Sequence, residues 1–235
     1  MAVSLTDSLR TRWESYLSTE NSGTRDAKIH ALTEFVDELV KSPAPTWKGW
    51  ALDLVARVVD EGADIPIRRP LFEHVLFPAL AEALDAQTAG SARWLAGLSQ
   101  HLYRCPSCVE RLGRDRASEW ALLRSAVAQD PADIRSRQQL VRLIANHLRY
   151  TLHELPAGVL YGIDGATVEQ CDELLAELDE FRALIEIEGR TADHAPLVAE
   201  CDRHFKSYKR YLFERPAHES YKHFLDTKDG DAAGG

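Results

Sequence analysis

No stretch of this sequence approaches the roughly 18 to 20 uninterrupted apolar residues that a membrane-spanning helix needs. Apolar side chains come in short amphipathic bursts, which argues against a membrane protein. The residues from Met1 to Asp7 contain neither a basic cluster nor a long apolar run, so a secretory signal is not expected and the expected location is the cytoplasm. Cysteine is scarce. Four cysteines in 235 residues are too few for a disulfide scaffold, and a reducing compartment would keep them as thiols, used as apolar core residues. Runs of alternating β-branched residues bounded by turn signals are missing, which excludes a strand-rich fold. Positive charge is also in deficit: 28 Lys and Arg stand against 37 Asp and Glu, a formal net charge of −9. A general nucleic-acid binder needs the opposite balance on its contact face, so nucleic acid is excluded as the expected partner and a basic partner is favoured.

What the sequence does contain is helical periodicity. Hydrophobic residues make up 45% of the chain, ample for a continuous core, and they recur at spacings of three and four. The pattern predicts an all-α protein with helices near 5–19, 25–41, 46–61, 70–87, 91–104, 106–113, 118–129, 132–154, 167–188, 194–214 and 217–226. Short linkers imply that sequential neighbours pack as antiparallel helical hairpins. The expected organisation is one helical domain over 1–225, with a subdivision near 114–118 as the alternative, followed by a disordered tail over 226–235 that has nothing to bury. Arginine (21) far outnumbers lysine (7) and alanine is abundant, a bias associated with a GC-rich bacterial genome.

Local chemistry marks several boundaries. Asp130-Pro131-Ala132-Asp133 offers a capping Asp, a Pro at the first helical position and a carboxylate in the first turn. Thr167-Val168-Glu169-Gln170 has the spacing of a capping box. The helix that it opens carries Cys171, Leu174, Leu178, Phe181 and Ile185 on one stripe and is otherwise strongly acidic: residues 167–188 hold eight carboxylates and only Arg182. The next helix presents Leu197, Cys201, Phe205, Tyr208 and Leu212 as its expected core stripe. Residues 104–149, in contrast, hold nine arginines against five acids.

The segment from Glu119 to Asp133 resembles the second helix of a tetratricopeptide repeat (TPR) running into its Asp-Pro turn, with Ala126 as the small residue that lets paired helices approach and Pro131 starting the next helix. The resemblance spans about 40 residues, roughly 118–155, and no 34-residue period extends it. It implies a TPR-like array or an irregular α-α superhelix, and through that shape an interaction platform.

Candidate chemistry centres on three places. His101, Cys105 and Cys108 contain a Cys-x2-Cys pair that would hold two corners of a tetrahedral zinc site if Cys201 and His204 completed it; the competing reading is an interhelical turn in which Pro106 begins a helix. The Cys-Pro-x-Cys spelling also matches redox dithiols, although the βαβ context that they need is missing. The run from His147 to Glu154 lacks the second histidine of a His-Glu-x-x-His motif. The loop 156–166 carries three glycines and Leu160, Tyr161 and Ile163, read either as a hydrophobic lid or as a partner-contacting loop. No catalytic residue and no cofactor is implied. The expected function is a non-enzymatic protein- or peptide-binding scaffold, with Arg142, Arg149, Tyr150, Tyr161 and Glu177 as candidate contacts beside the hairpin of 132–154 and 167–188. Two alternatives stand: an acidic inhibitor or immunity-type protein that masks a basic enzyme, and a metal- or redox-dependent protein that uses the Cys105–Cys108 motif.

Overall fold

Helix ends in this chain are set by side chains that satisfy the unpaired amide groups of each first turn. Thr6 caps Asp7–Ser22, Thr24 caps Arg25–Lys41, Ser118 caps Glu119–Gln129, and Thr167 with Gln170 forms the full reciprocal capping box at Val168–Ile187. The computed structural model describes residues 5–154 and 167–233, with side chains described through residue 227. In chain order the helices are α1 (Asp7–Ser22), α2 (Arg25–Lys41), α3 (Pro45–Asp60), α4 (Arg69–Leu71), α5 (Phe77–Asp85), α6 (Ser91–Gly97), α7 (Ser99–Tyr103), α8 (Pro106–Leu112), α9 (Glu119–Gln129), α10 (Ile134–Glu154), α11 (Val168–Ile187), α12 (Thr191–Glu214) and α13 (Tyr221–Ala233). A π-helical turn, Phe72–Leu76, bridges α4 and α5. Among the described residues there is no strand, and no helix is long and apolar enough to cross a membrane.

The chain divides into two compact units, Met1–Ser136 and Arg137–Gly235. The division falls inside α10, away from the 114–118 segment at which the sequence offered a subdivision. That segment is tied down: Ala117 is buried, and the Glu119 amide donates to the Tyr103 hydroxyl at 3.0 Å.

In the first unit α1, α2 and α3 converge on an aromatic cluster. Trp13 lies 5.1 Å from Phe35 and 5.2 Å from Trp50, the latter edge-on, and Tyr16 packs beside Trp13 while donating its hydroxyl to the Pro66 carbonyl. Edge-on and tilted arrangements suit the ring quadrupoles. Glu20 is nearly buried and receives both arms of the Arg68 guanidinium; that hydrogen bonding outweighs desolvation and holds its carboxyl below the usual range.

A second polar knot forms where α3 ends. Arg93 of α6 is buried, pairs with Asp60, and donates its Nε to Asp133 at 2.9 Å; Asp60 also accepts the Trp94 indole N–H at 2.8 Å. Asp133 in turn accepts the Arg135 amide at 3.0 Å and the Ser136 hydroxyl at 2.6 Å, so it is Asp133 that caps α10. The cap expected at Asp130 instead closes the preceding turn, where its carboxylate accepts the Ala132 amide. Burial pushes the Asp133 carboxyl up, but hydrogen bonds from Ser136 and Arg93 prevail and hold it below its ordinary value.

The helix expected over 91–104 is interrupted at Leu98. Its first half, α6, packs against α3 so closely that a Cβ on Gly97 would stand 2.8 Å from Cγ1 of Val59. In the second unit the α11 stripe is buried as expected, and α12 packs along α11 after a turn through Gly189, whose φ of +65° suits glycine. α12 begins at Thr191 rather than 194, accommodating Pro196 in its second turn. Its buried stripe is His194, Cys201, Phe205, Tyr208 and Tyr211, which displaces the expected Leu197 and Leu212 to half-exposed positions. Tyr211 wins its place because it meets Tyr221 and Phe224 of α13 at 5.6 and 5.9 Å. The segment expected as a disordered tail is helical through Ala233, since extending α13 fixes one residue per hydrogen bond whereas starting a helix fixes several.

Two outcomes follow for thermodynamic unfolding. Arg93→Ala leaves Asp60 and Asp133 without their buried cation and is expected to cost about 3–5 kcal/mol; a loss under about 1 kcal/mol, the range of exposed ion pairs, would show that the knot is dispensable. Gly97→Ala is expected to destabilise by about 1–2 kcal/mol despite the better helix propensity of alanine, and the double change with Val59→Ala should lose less than the sum of the two single changes.

Candidate functional site

The core side of α10 is written by Leu140, Ile144 and Leu148, all buried. Rotated from that stripe, Gln138, Arg142, Ala145 and Arg149 follow at steps of four, three and four, which places them on one face. The start of α12 faces them with Arg190 and His194, and together these residues line a cavity of about 420 Å³ in the second unit. Val141 and Ala145, each 2% exposed, make an apolar floor, while the three arginines and Gln138 stand exposed around it.

Charge in and around this cavity is only partly compensated. Arg190 pairs with Asp193 at 3.3 Å, and the nearly buried Glu188 at the end of α11 pairs with Arg137 at 3.9 Å. Arg149 reaches only the Asn146 amide oxygen, at 3.4 Å, and neither Arg142 nor Arg149 meets a carboxylate among the described residues.

His194 is 8% exposed, its ring stands edge-on to Phe181 at 5.2 Å, and its Nε2 has no hydrogen-bond partner among the described residues. Burial, then the charges of Arg190 and Arg149, pull its pKa below the ordinary histidine value, while Asp193 and Glu188 oppose them. The imidazole is therefore neutral near pH 7, beside arginines of which Arg142 and Arg149 meet no carboxylate among the described residues. α12 also starts without a side-chain cap. Such a helix start favours negative charge.

Of the residues named from sequence, Arg142 and Arg149 come together in this cavity. Tyr150 stands 64% exposed on α10 and does not line it. Glu177 faces elsewhere: its carboxylate meets His147 Nδ1 at 2.7 Å, joining α11 to α10. Tyr161 and the loop 156–166 lie outside the described residues. Arg190 and His194 were missed because they enter from a different helix. The available signal was the polar side of α10, where arginines alternate with a small alanine in place of the usual mixed charges.

The cysteine–histidine set is dispersed. Cys105 and Cys108 are joined as a disulfide, with Cα atoms 5.3 Å apart, rather than kept as the expected thiols; the first turn of α8, opened by Pro106 as expected, brings residues three apart together. His101 stacks on Phe72 at 5.5 Å, and His204 bonds the Tyr221 hydroxyl at 3.1 Å. Cys171 and Cys201 are free and buried, and desolvation pushes their thiols up to about 11 and about 12, which makes them inert packing groups. Among the described residues no group of three or more His, Cys, Asp or Glu side chains is placed to hold a metal ion.

No family model, no curated protein and no solved structure matches this chain.

The His147–Glu177 pair gives a pH-dependent outcome. Hydrogen bonding to Glu177 raises the His147 pKa against the effect of burial. The stabilisation is thus fully present below the unfolded histidine value of about 6.5 and is lost as pH rises through the folded value. Glu177→Gln is expected to cost about 1–2 kcal/mol in denaturant unfolding on the acid side of that range and much less on the alkaline side; a cost independent of pH would contradict the assignment.

Proposed function

We propose that this protein is a non-enzymatic binding module whose recognition face is the α10–α12 surface of the second unit, and that its partner is a protein or peptide presenting an acidic group. The observation that carries the reading is the pair of guanidiniums, Arg142 and Arg149, that stand over an apolar floor without a carboxylate among the described residues. Planar guanidinium forks are well matched to carboxylate and other oxyanions. The scaffold is read as antiparallel helical hairpins, with the local TPR-like segment over 118–155 as part of that array. Support for the hairpin reading comes from the extensive packing of α1 on α2 and of α11 on α12 across short turns.

A basic partner drawn to the acidic α11 is the less supported alternative. Of the eight carboxylates over residues 167–188, at least four are engaged: Asp172, Glu177, Asp179 and Glu188 pair with Lys209, His147, Arg182 and Arg137. Recognition of an acidic group must work against the net charge of −9 at long range, so it depends on contact inside the cavity more than on steering.

The test is fluorescence anisotropy with a labelled glutamate-rich peptide and its lysine-rich counterpart, on the wild type and on Arg142→Glu/Arg149→Glu. The expected result is preference for the acidic peptide and a loss of roughly tenfold or more, about 1.4 kcal/mol, in the variant. Preference for the lysine-rich peptide, or acidic-peptide binding unchanged by the variant, would overturn the reading.

A further inference from the structure

Two arginines that meet no carboxylate among the described residues, the nearly buried His194 and a helix start without a side-chain cap lie at one cavity. We infer that the cavity lined by Arg142, Arg149, Arg190 and His194 is a binding site for a phosphomonoester group. The inference rests on the reading of this face as the recognition surface and names the group that it takes.

Charge selects the ligand class. Arg190 and Arg137 are balanced by Asp193 and Glu188, which leaves Arg142 and Arg149 without a carboxylate among the described residues. One carboxylate would neutralise only half of that charge. A phosphomonoester carries about −1.5 to −2 near pH 7 and offers three acceptor oxygens, enough for two guanidinium forks and one further donor.

His194, which lines the cavity, is the candidate for that further donor. His194 Nε2 lacks a partner among the described residues although the side chain is almost fully buried, and unmet buried nitrogen is costly unless a ligand satisfies it. The groups that face this imidazole are Arg190 and Asp193 from its own helix end, Arg149 from α10, and Glu188 and the Phe181 ring from α11. A dianion beside it reverses the effect of the two arginines and favours the protonated ring, which then donates from Nε2. The adjacent start of α12 adds its partial positive charge to the same side.

Size agrees. A cavity of about 420 Å³ falls in the range of about 300–1,000 Å³ typical of ligand sites, and it holds a phosphate together with part of the group that bears it. Val141 and Ala145 give the cavity an apolar floor beneath the exposed guanidiniums.

The carrier is a peptide side chain or a small molecule, and one calorimetric series separates these. The probes are inorganic phosphate, a phosphoserine peptide, and the same peptide with glutamate or with serine at that position, each titrated into the wild type and into Arg142→Gln/Arg149→Gln; circular dichroism and thermal melts confirm that the variant folds. The expected result is competition between inorganic phosphate and the phosphoserine peptide for one site, with the phosphopeptide at least tenfold tighter than the glutamate peptide, no binding of the serine peptide, and loss of both ligands in the variant. Equal affinity for glutamate and phosphoserine overturns the phosphomonoester inference and leaves the acidic-partner reading standing. Binding of inorganic phosphate without any peptide keeps the inference and removes the peptide partner. Failure of every probe, or binding that the variant does not weaken, overturns the site.

Discussion

Charge brought up against packed helices has to be met by opposite charge or by hydrogen bonds, and this constraint shapes the structure in both units. A buried carboxylate or guanidinium left alone costs several kcal/mol, and three charged side chains at the interior are held in linked sets. Arg93 is buried where Asp60 and Asp133 reach it, the nearly buried Glu20 side chain is gripped by both arms of Arg68, and the half-buried Glu177 is paired with His147. These sets also decide local structure. The Asp133 carboxylate that caps α10 is oriented by Arg93, so a buried guanidinium in one helix fixes where another begins.

Against that background the surroundings of Arg142 and Arg149 are an exception with a direction. Exposed arginines alone are ordinary surface chemistry. What sets these two apart is their company: an apolar floor, a concave shape and a buried imidazole nitrogen that nothing among the described residues bonds. The neighbouring Arg190 pairs with Asp193, whereas neither Arg142 nor Arg149 meets a carboxylate among the described residues.

The helical organisation was readable because it is encoded in near neighbours. The capping box at Thr167 and Gln170, the start at Pro106 and the α11 stripe all depend on residues within a few positions of one another. Features that depend on distant residues were not readable. The break at Leu98 accompanies the close contact of Gly97 with Val59, and the burial of Tyr211 in place of Leu212 follows from the rings of Tyr221 and Phe224. The same holds for the site. Arg142 and Arg149 share a face within one helix and were named from sequence, whereas Arg190 and His194 complete the cavity from another helix, and Glu177 was named as a contact although an adjacent helix had already claimed it.

The most direct test of the uncompensated-charge account is the titration of His194 followed by its ring proton resonance in nuclear magnetic resonance, with and without sulfate, an oxyanion whose own charge does not change across the range. The account predicts a midpoint below the ordinary value of about 6.5 in the free protein, because burial, Arg190 and Arg149 disfavour the imidazolium. Sulfate should move that midpoint upward, and Arg142→Gln/Arg149→Gln should abolish the response to sulfate. A midpoint that sulfate leaves unchanged, or that already lies above the ordinary value in its absence, would contradict the claim that this cavity holds positive charge in want of an anion.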